Sequence, residues 1–255
     1  MKALILAAGL GTRLKPITNH IPKALVTIEG KTLLEHQILK LKSAGFNEII
    51  VNVHHFADQI IDFLHSKNNF DIRIEISDER NFLLDTGGAV RKAAWFFDDG
   101  KPFLVHNVDI LSNVDLMDMM KFHLSSDSLA TLVVNQRKTS RQLLFDKQMQ
   151  LKGWFNETTG QTKPQEINLQ LYQKFAFSGI QILSPKVFLL MEKWNEVFSI
   201  IDFYLSNVDK EKISGYTNNE IKVLDVGKIQ SLEEASIFLK NINKNFFDNS
   251  DFNEG

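Results

Sequence analysis

Residues 3–25 read ALILAAGLGTRLKPITNHIPKAL, and the rest of the chain is best understood outward from them. Ala3–Leu6 is a short apolar run suited to a buried strand. It passes directly into a loop carrying Gly9, Gly11, Thr12 and Arg13, and Lys23 follows ten residues after Arg13. Small residues let backbone N–H groups approach phosphate oxygens, and Arg13 and Lys23 add positive charge, so the loop can wrap a triphosphate. It is not a Walker A loop, because no Gly-Lys-Ser/Thr follows. Nor is it the dinucleotide fingerprint, which needs a third glycine and a helix opening at a fixed spacing.

Downstream, the pattern alternates between strand and helix. Leu33–Ala44 places Leu34, Ile38 and Leu41 on one helical face, with Gly45 as the stop. Glu48–Val53 reads as a strand and Ala57–His65 as a helix. Ile72, Ile74 and Ile76 alternate with charged residues, as in a half-exposed strand. A helix over Gly87–Phe96, a strand over Pro102–Val105, a helix over Asp115–Leu124 and a strand over Ala130–Val134 continue the series. This order predicts an α/β fold: an open, twisted, mostly parallel sheet with helices on both faces. Ligands of such sheets bind beyond the carboxyl ends of the strands, where the Gly9–Arg13 loop and the Asn107–Asp109 segment both emerge.

Residues 136–167 are polar and strand-poor, with Gly153, Gly160 and Pro164 as punctuation, and suggest a hairpin or lid-like insertion. A strand over Lys174–Leu183 and helices over Pro185–Trp194, Ile200–Val208 and Leu232–Asn243 follow. The expectation is one catalytic domain over 1–243 and a flexible tail over 244–255.

Composition narrows the possible functions. A net charge of −2 provides no broad basic field for a nucleic-acid partner. The absence of cysteine excludes disulfides, a thiolate nucleophile and a cysteine zinc site. The N-terminal apolar run is too brief for a signal peptide, and no run of about 18 apolar residues suggests a membrane span. A cytoplasmic location is the default expectation; oligomeric state is not readable.

Leu6-Ala7-Ala8-Gly9-Leu10-Gly11-Thr12-Arg13-Leu14, then Pro16, Thr18 and Pro22-Lys23-Ala24-Leu25, resembles the signature of the sugar-phosphate nucleotidylyltransferases. The resemblance implies the Rossmann-like nucleotide-diphospho-sugar transferase fold. It also implies synthesis of an NDP-sugar and pyrophosphate from an NTP and a sugar 1-phosphate. On that resemblance, Ala8, Gly9, Leu10, Gly11 and Thr12 hold the triphosphate through the backbone. Arg13 steadies the leaving pyrophosphate and Lys23 stabilises the α-phosphate. Asp85-Thr86-Gly87-Gly88 is similar to the family segment that lies against the base, with backbone contacts from Gly87 and Gly88 and an upstream partner in Glu79.

Asp109 after a strand and Asp225 in Val223-Leu224-Asp225-Val226-Gly227 resemble the family's two Mg²⁺ carboxylates, a ligand type that magnesium favours alongside phosphate oxygens. Asp109 could otherwise be a turn or helix cap, and Asp225 an Asx-type turn before Gly227. For the sugar, Phe177-Ser178-Gly179-Ile180 is similar to a family strand and turn. The candidates there are Asn107, Glu157, Ser178 and Gly179, with Lys163 and Trp154 in the insertion. His106 reads as a half-buried strand residue.

The chain has no hexapeptide repeat. It most resembles short N-acetylmuramate 1-phosphate uridylyltransferases, and next the mannose- or heptose-1-phosphate guanylyltransferases. A phosphocholine-type cytidylyltransferase and a catalytically silent nucleotide-binding paralogue are the competing readings.

Overall fold

The computed structural model describes residues 1–248. The first part contains β1 (Lys2–Leu6), β2 (Thr27–Ile28), β3 (Lys31–Thr32), α1 (Leu33–Ser43), β4 (Glu48–Val53), α2 (Ala57–Ser66) and β5 (Arg73–Asp78). Then come α3 (Asp85–Lys92), β6 (Phe103–Asn107), β7 (Ile110–Ser112), α4 (Leu116–Ser126) and β8 (Ala130–Asn135). The second part holds β9 (Arg141–Phe145), β10 (Leu151–Asn156), β11 (Thr162–Lys163), β12 (Gln173–Leu183), α5 (Lys186–Met191) and α6 (Ile200–Asn207). It closes with β13 (Ile213–Tyr216), β14 (Val223–Asp225) and α7 (Gln230–Asp248).

The central sheet runs β13-β8-β12-β6-β1-β4-β5. Every neighbouring pair is parallel except the two made by β12, so β12 alone points the other way. β1 explains why an inner strand of the sheet is a continuous apolar run. Ala3 and Ile5 face a layer built with α1, α2 and α4, while Leu4 faces a layer built with α3, α5 and α6. With helices on both faces, successive residues of an inner strand are all buried, and the sequence shows a continuous apolar run. The α/β architecture read from the sequence is the one observed.

α1 begins at a Thr32 cap, whose hydroxyl accepts from Glu35 N at 3.0 Å. Its chain leaves at Gly45, with φ of 82°.

The segment 136–167 holds the hairpin that is one reading of its sequence, but is richer in strands than that sequence suggests. It carries β9, β10 and β11, which form an antiparallel sheet with the start of β12. The strands were hidden because β9 buries Leu143, Leu144 and Phe145 in succession, so no period-2 alternation marks it. β12 thus serves two sheets: Gln173–Phe175 pairs with β9, and Ala176–Leu183 with β8. Its pairing with β8 shifts register between Phe177 and Gln181, where Gly179 takes a φ of 73°.

β7, β13 and the β2–β3 hairpin were not anticipated; each is four residues or fewer. α5 stops at Met191, short of the expected Trp194. Residues 244–248 of the expected tail belong to α7, and 249–255 lie outside the described residues. No described helix is long and apolar enough to cross a membrane.

Candidate active site

The carboxyl ends of β1, β4 and β6 open onto a cleft of about 440 Å³, lined by Ala8, Gly9, Lys23, Asn52, Leu83, Thr86, Asp109 and Val197, among others. A second cavity of about 570 Å³ adjoins it and shares Leu6, Asp85, Thr86 and Asn107 as its wall. Its far side is built by β10, β11, β12 and α6 through Trp154, Asn156, Lys163, Phe177, Gln181 and Asp202. Two binding spaces therefore meet where β1 and β6 end, as the strand-end rule requires.

The glycine loop forms the rim of the first cavity. Gly11 has a φ of 64°, and its carbonyl accepts from Thr18 Oγ1 at 2.8 Å and Leu14 N at 2.9 Å. A Cβ at Gly11 would lie 3.0 Å from the Thr18 side chain, so glycine answers both the conformation and the space. The N–H groups of Gly9, Leu10 and Gly11 make no hydrogen bond within the described residues and are available to a ligand. Ala8 differs: its N–H donates to Asn52 Oδ1 at 3.2 Å, so Ala8 lines the cavity without offering its amide.

At the centre of the site, Lys23 is 9% exposed and its ammonium pairs directly with the Asp109 carboxylate. Asp109 leaves β6 in the turn to β7. β14 pairs with β7 so that Asp225 stands opposite Ile110, and Val226 N donates to Asp109 O at 2.8 Å. The two acidic residues, far apart in sequence, are thereby held on adjacent backbones. Arg13 joins them from the glycine loop. A Cβ at Gly227 would fall 2.6 Å from Arg13 Nη2 and 2.7 Å from Asp225 Oδ1, so both groups crowd over that glycine. Arg137, beyond the end of β8, places Nη1 3.9 Å from Asp225 Oδ2 and donates through Nη2 to Phe177 O at 3.2 Å. Arg13, Arg137, Lys138 and Lys228 line a further cleft beside Asp225.

The donor set suits magnesium. Asp225 Oδ1 is buried without a hydrogen-bond partner, a costly arrangement unless something completes it. No cluster of three or more His, Asp or Glu residues able to hold a metal occurs among the described residues. Two carboxylates completed by phosphate oxygens match the magnesium habit of one or two protein ligands.

Other expectations are corrected by geometry. Gly87 N and Gly88 N both donate to Phe198 O, at 2.9 and 3.3 Å, and are not free for a base. A Cβ at Gly87 would lie 2.3 Å from the Phe198 ring, and one at Gly88 2.4 Å from Glu196 O. These glycines let α3 pack against 196–198, and Leu83, Asp85, Thr86 and Val197 face the cavity instead. Glu79 is 1% exposed and lines the floor of the cavity, with each carboxylate oxygen accepting one protein hydrogen bond. Burial pushes its carboxyl above the usual carboxylate range.

In the second cavity, Asn107 lines the wall shared with the first. Ser178 is buried at 1% exposure and Gly179 packs beneath the Asn107 amide, while Phe177 and Gln181 are the β12 residues that line the cavity. Glu157 lies exposed in the turn after β10 and does not line the cavity, whereas Trp154 and Lys163 do. Lys163 donates to Asp202 Oδ1 at 2.6 Å, with its ammonium 5.6 Å from the Trp154 ring centre. His106 is fully buried, and burial takes its pKa down to about 3, so it is neutral.

Arg137, Arg141 and Asn52 were missed in the sequence. Arg137 follows a strand that ends at the same sheet edge, and Asn52 interrupts an otherwise apolar strand; both signals were available. Nothing local marks Arg141, which reaches the cavity from the first position of β9.

The profile of the nucleotidyl transferase family matches residues 2–242. An N-acetylmuramate alpha-1-phosphate uridylyltransferase of Neisseria meningitidis is 29% identical over 235 residues, covering 92% of this chain and 96% of that protein. A protein of the same name from Caulobacter vibrioides is 44% identical over 109 residues, 42% of this chain and only 45% of the relative. Among solved structures, HddC from Yersinia pseudotuberculosis complexed with GMP-PN aligns with a TM-score of 0.74 and 25% identity. That alignment covers 93% of this chain and 99% of HddC.

Proposed function

We propose, for a chain that belongs to the nucleotidyl transferase family, the joining of an NTP to a sugar 1-phosphate with release of pyrophosphate. The observation that carries this reading is the seam between the two cavities. Leu6, Asp85, Thr86 and Asn107 are common to both, and the Lys23–Asp109 pair lies on the nucleotide side of that seam. A nucleotide in one cavity and a sugar phosphate in the other present their phosphates to each other there.

The reaction is an in-line displacement. An oxygen of the sugar phosphate forms a bond to the α-phosphorus. The bond from that phosphorus to the bridging oxygen breaks, and its electron pair leaves with pyrophosphate. No general base is required, because a phosphate monoester with a second pKa of ~6 is mostly dianionic near neutral pH. The chain's task is to bring two anions together and hold them in line. The free N–H groups of Gly9, Leu10 and Gly11 cradle the triphosphate. Lys23 faces the α-phosphate, where its ammonium offsets the charge that builds in the transition state. Arg13 takes the leaving pyrophosphate. Asp109 and Asp225 would hold Mg²⁺, which supplies neutralisation of phosphate charge when bound. Trp154 and Lys163 form the sugar side.

The preferred substrate pair is UTP with N-acetylmuramate 1-phosphate, supported by the near full-length match to the Neisseria relative. GTP with mannose or heptose 1-phosphate is the second reading, favoured by the likeness to the GMP-PN complex. Pyrophosphate release tests both: UTP, GTP, CTP, ATP and dTTP are crossed with a panel of sugar 1-phosphates and phosphocholine in Mg²⁺. Release with phosphocholine alone would replace the sugar reading. Nucleotide binding without release in any combination would make the protein a silent paralogue.

A further inference from the structure

Two buried polar side chains beneath the nucleotide cavity have no part in the displacement itself. Asn52 is 3% exposed in β4, and Glu79, just past β5, is 1% exposed. Asn52 Oδ1 accepts from Ala7 N at 2.6 Å and Ala8 N at 3.2 Å. Two backbone donors thus fix which way the Asn52 amide points, and its Nδ2 must donate to Glu79 Oε1, at 2.8 Å. Glu79 Oε2 accepts from Leu84 N at 3.2 Å, immediately before α3. Further bonds lock the Glu79 backbone: its N donates to Val53 O at 2.7 Å, and its carbonyl accepts from His54 Nδ1 at 2.7 Å and from Phe82 N at 3.0 Å. Among the described residues no Lys or Arg forms an ion pair with the Glu79 carboxylate; Lys92 and His54 act on it only through their charge. A buried, unpaired carboxylate costs stability that an apolar side chain would not, so its presence calls for a role.

We propose that Asn52 and Glu79 are positioning residues that couple the glycine loop to the base-side loop, setting the nucleotide cavity to the length of an NTP. The chain of hydrogen bonds runs from Ala7 and Ala8 through both side chains to Leu84. It crosses the floor of the cavity and joins the wall that holds phosphates to the wall that faces the base. The acceptor cavity shares neither residue. The inference rests on the nucleotide reading of this cleft given above.

The test uses a swap. Asn52→Asp sets a carboxylate against Glu79 Oε1, and Glu79→Gln puts an amide donor where only acceptors fit both neighbours. In the double variant Asn52→Asp/Glu79→Gln, each hydrogen bond is re-formed with the central one reversed: the new amide at 79 donates to the new carboxylate at 52. Each single variant is expected to raise the nucleotide KM, and the nucleotide Kd measured by calorimetry, by about 10-fold or more. The acceptor KM is expected to change less than about 2-fold, and the double variant to recover most of the nucleotide affinity.

A single variant that binds nucleotide like the parent would overturn the proposal. So would a loss shared equally by both substrates, or a double variant no better than the singles. If Asn52→Asp does not fold, Glu79→Gln and the double variant decide the question alone. If the parent binds nucleotide but turns over no acceptor, the catalytic reading fails while the calorimetric comparison still judges the pair.

Discussion

The two halves of the site are built in different ways. On the nucleotide side, functional groups leave the ends of parallel strands β1, β4 and β6, whose cores are apolar on both faces. On the acceptor side, they project from the faces of the antiparallel strands β9, β10 and β12 and from α6. A strand end fixes a loop whose backbone does the binding, and this requires particular residues: a glycine at Gly11, then cations at set spacing. A strand face presents whichever side chains the register turns inward, and almost any residue type can serve. The nucleotide side is therefore specified by motif, and the acceptor side by register.

Charge removal at the nucleotide side should have the largest effect. Lys23→Ala and Asp109→Asn are expected to cut pyrophosphate release by roughly 10²–10³-fold while circular dichroism stays at the parent spectrum. Near-normal turnover in either would break the assignment of that half. Gly227→Ala comes next, because the new methyl would occupy the space where Arg13 and Asp225 meet. Both are movable side chains, so a loss of about 10–10²-fold in kcat is expected with a melting temperature within a few degrees of the parent. A large stability loss with kcat intact would show that the glycine serves the backbone.

The acceptor half should respond more mildly and in a different parameter. Lys163→Ala removes one rim charge from that cavity and is expected to raise the acceptor KM by about 3–10-fold, leaving the nucleotide KM unaltered. A change in nucleotide KM instead would blur the division between the halves. Glu157→Ala should do least, less than about 2-fold in any kinetic constant, since the residue lies exposed outside both cavities. A large acceptor effect there would mean that the turn after β10 folds over bound substrate.

The same division explains what could be read in the sequence. The Gly9–Gly11 loop and Asp109 could be named because they follow strands with a clear apolar pattern, and Arg13 and Lys23 because they stand at set spacing in the signature that continues the loop. Asp225 was named through the resemblance of Val223–Gly227 to a family segment, and it ends a three-residue strand. Gly87 and Gly88 were given the wrong reason: their motif suggested contact with a base, and the constraint is the Phe198 ring and the Glu196 carbonyl packed against α3. Ser178 and Gly179 do not line the second cavity: Ser178 alternates to the face opposite Phe177, and Gly179 has no side chain to present.

The sequence alone determined the alternation of strands and helices, the glycine loop and the types of charge beside it. These depend on local periodicity and backbone freedom, which a linear chain records. The tertiary structure decided that β14 lays Asp225 beside Asp109, that Asn52 turns its amide toward Glu79, and that β9 and β10 wall the second cavity. Those outcomes depend on strand register and long-range pairing, where a shift of one residue changes the face that every side chain occupies.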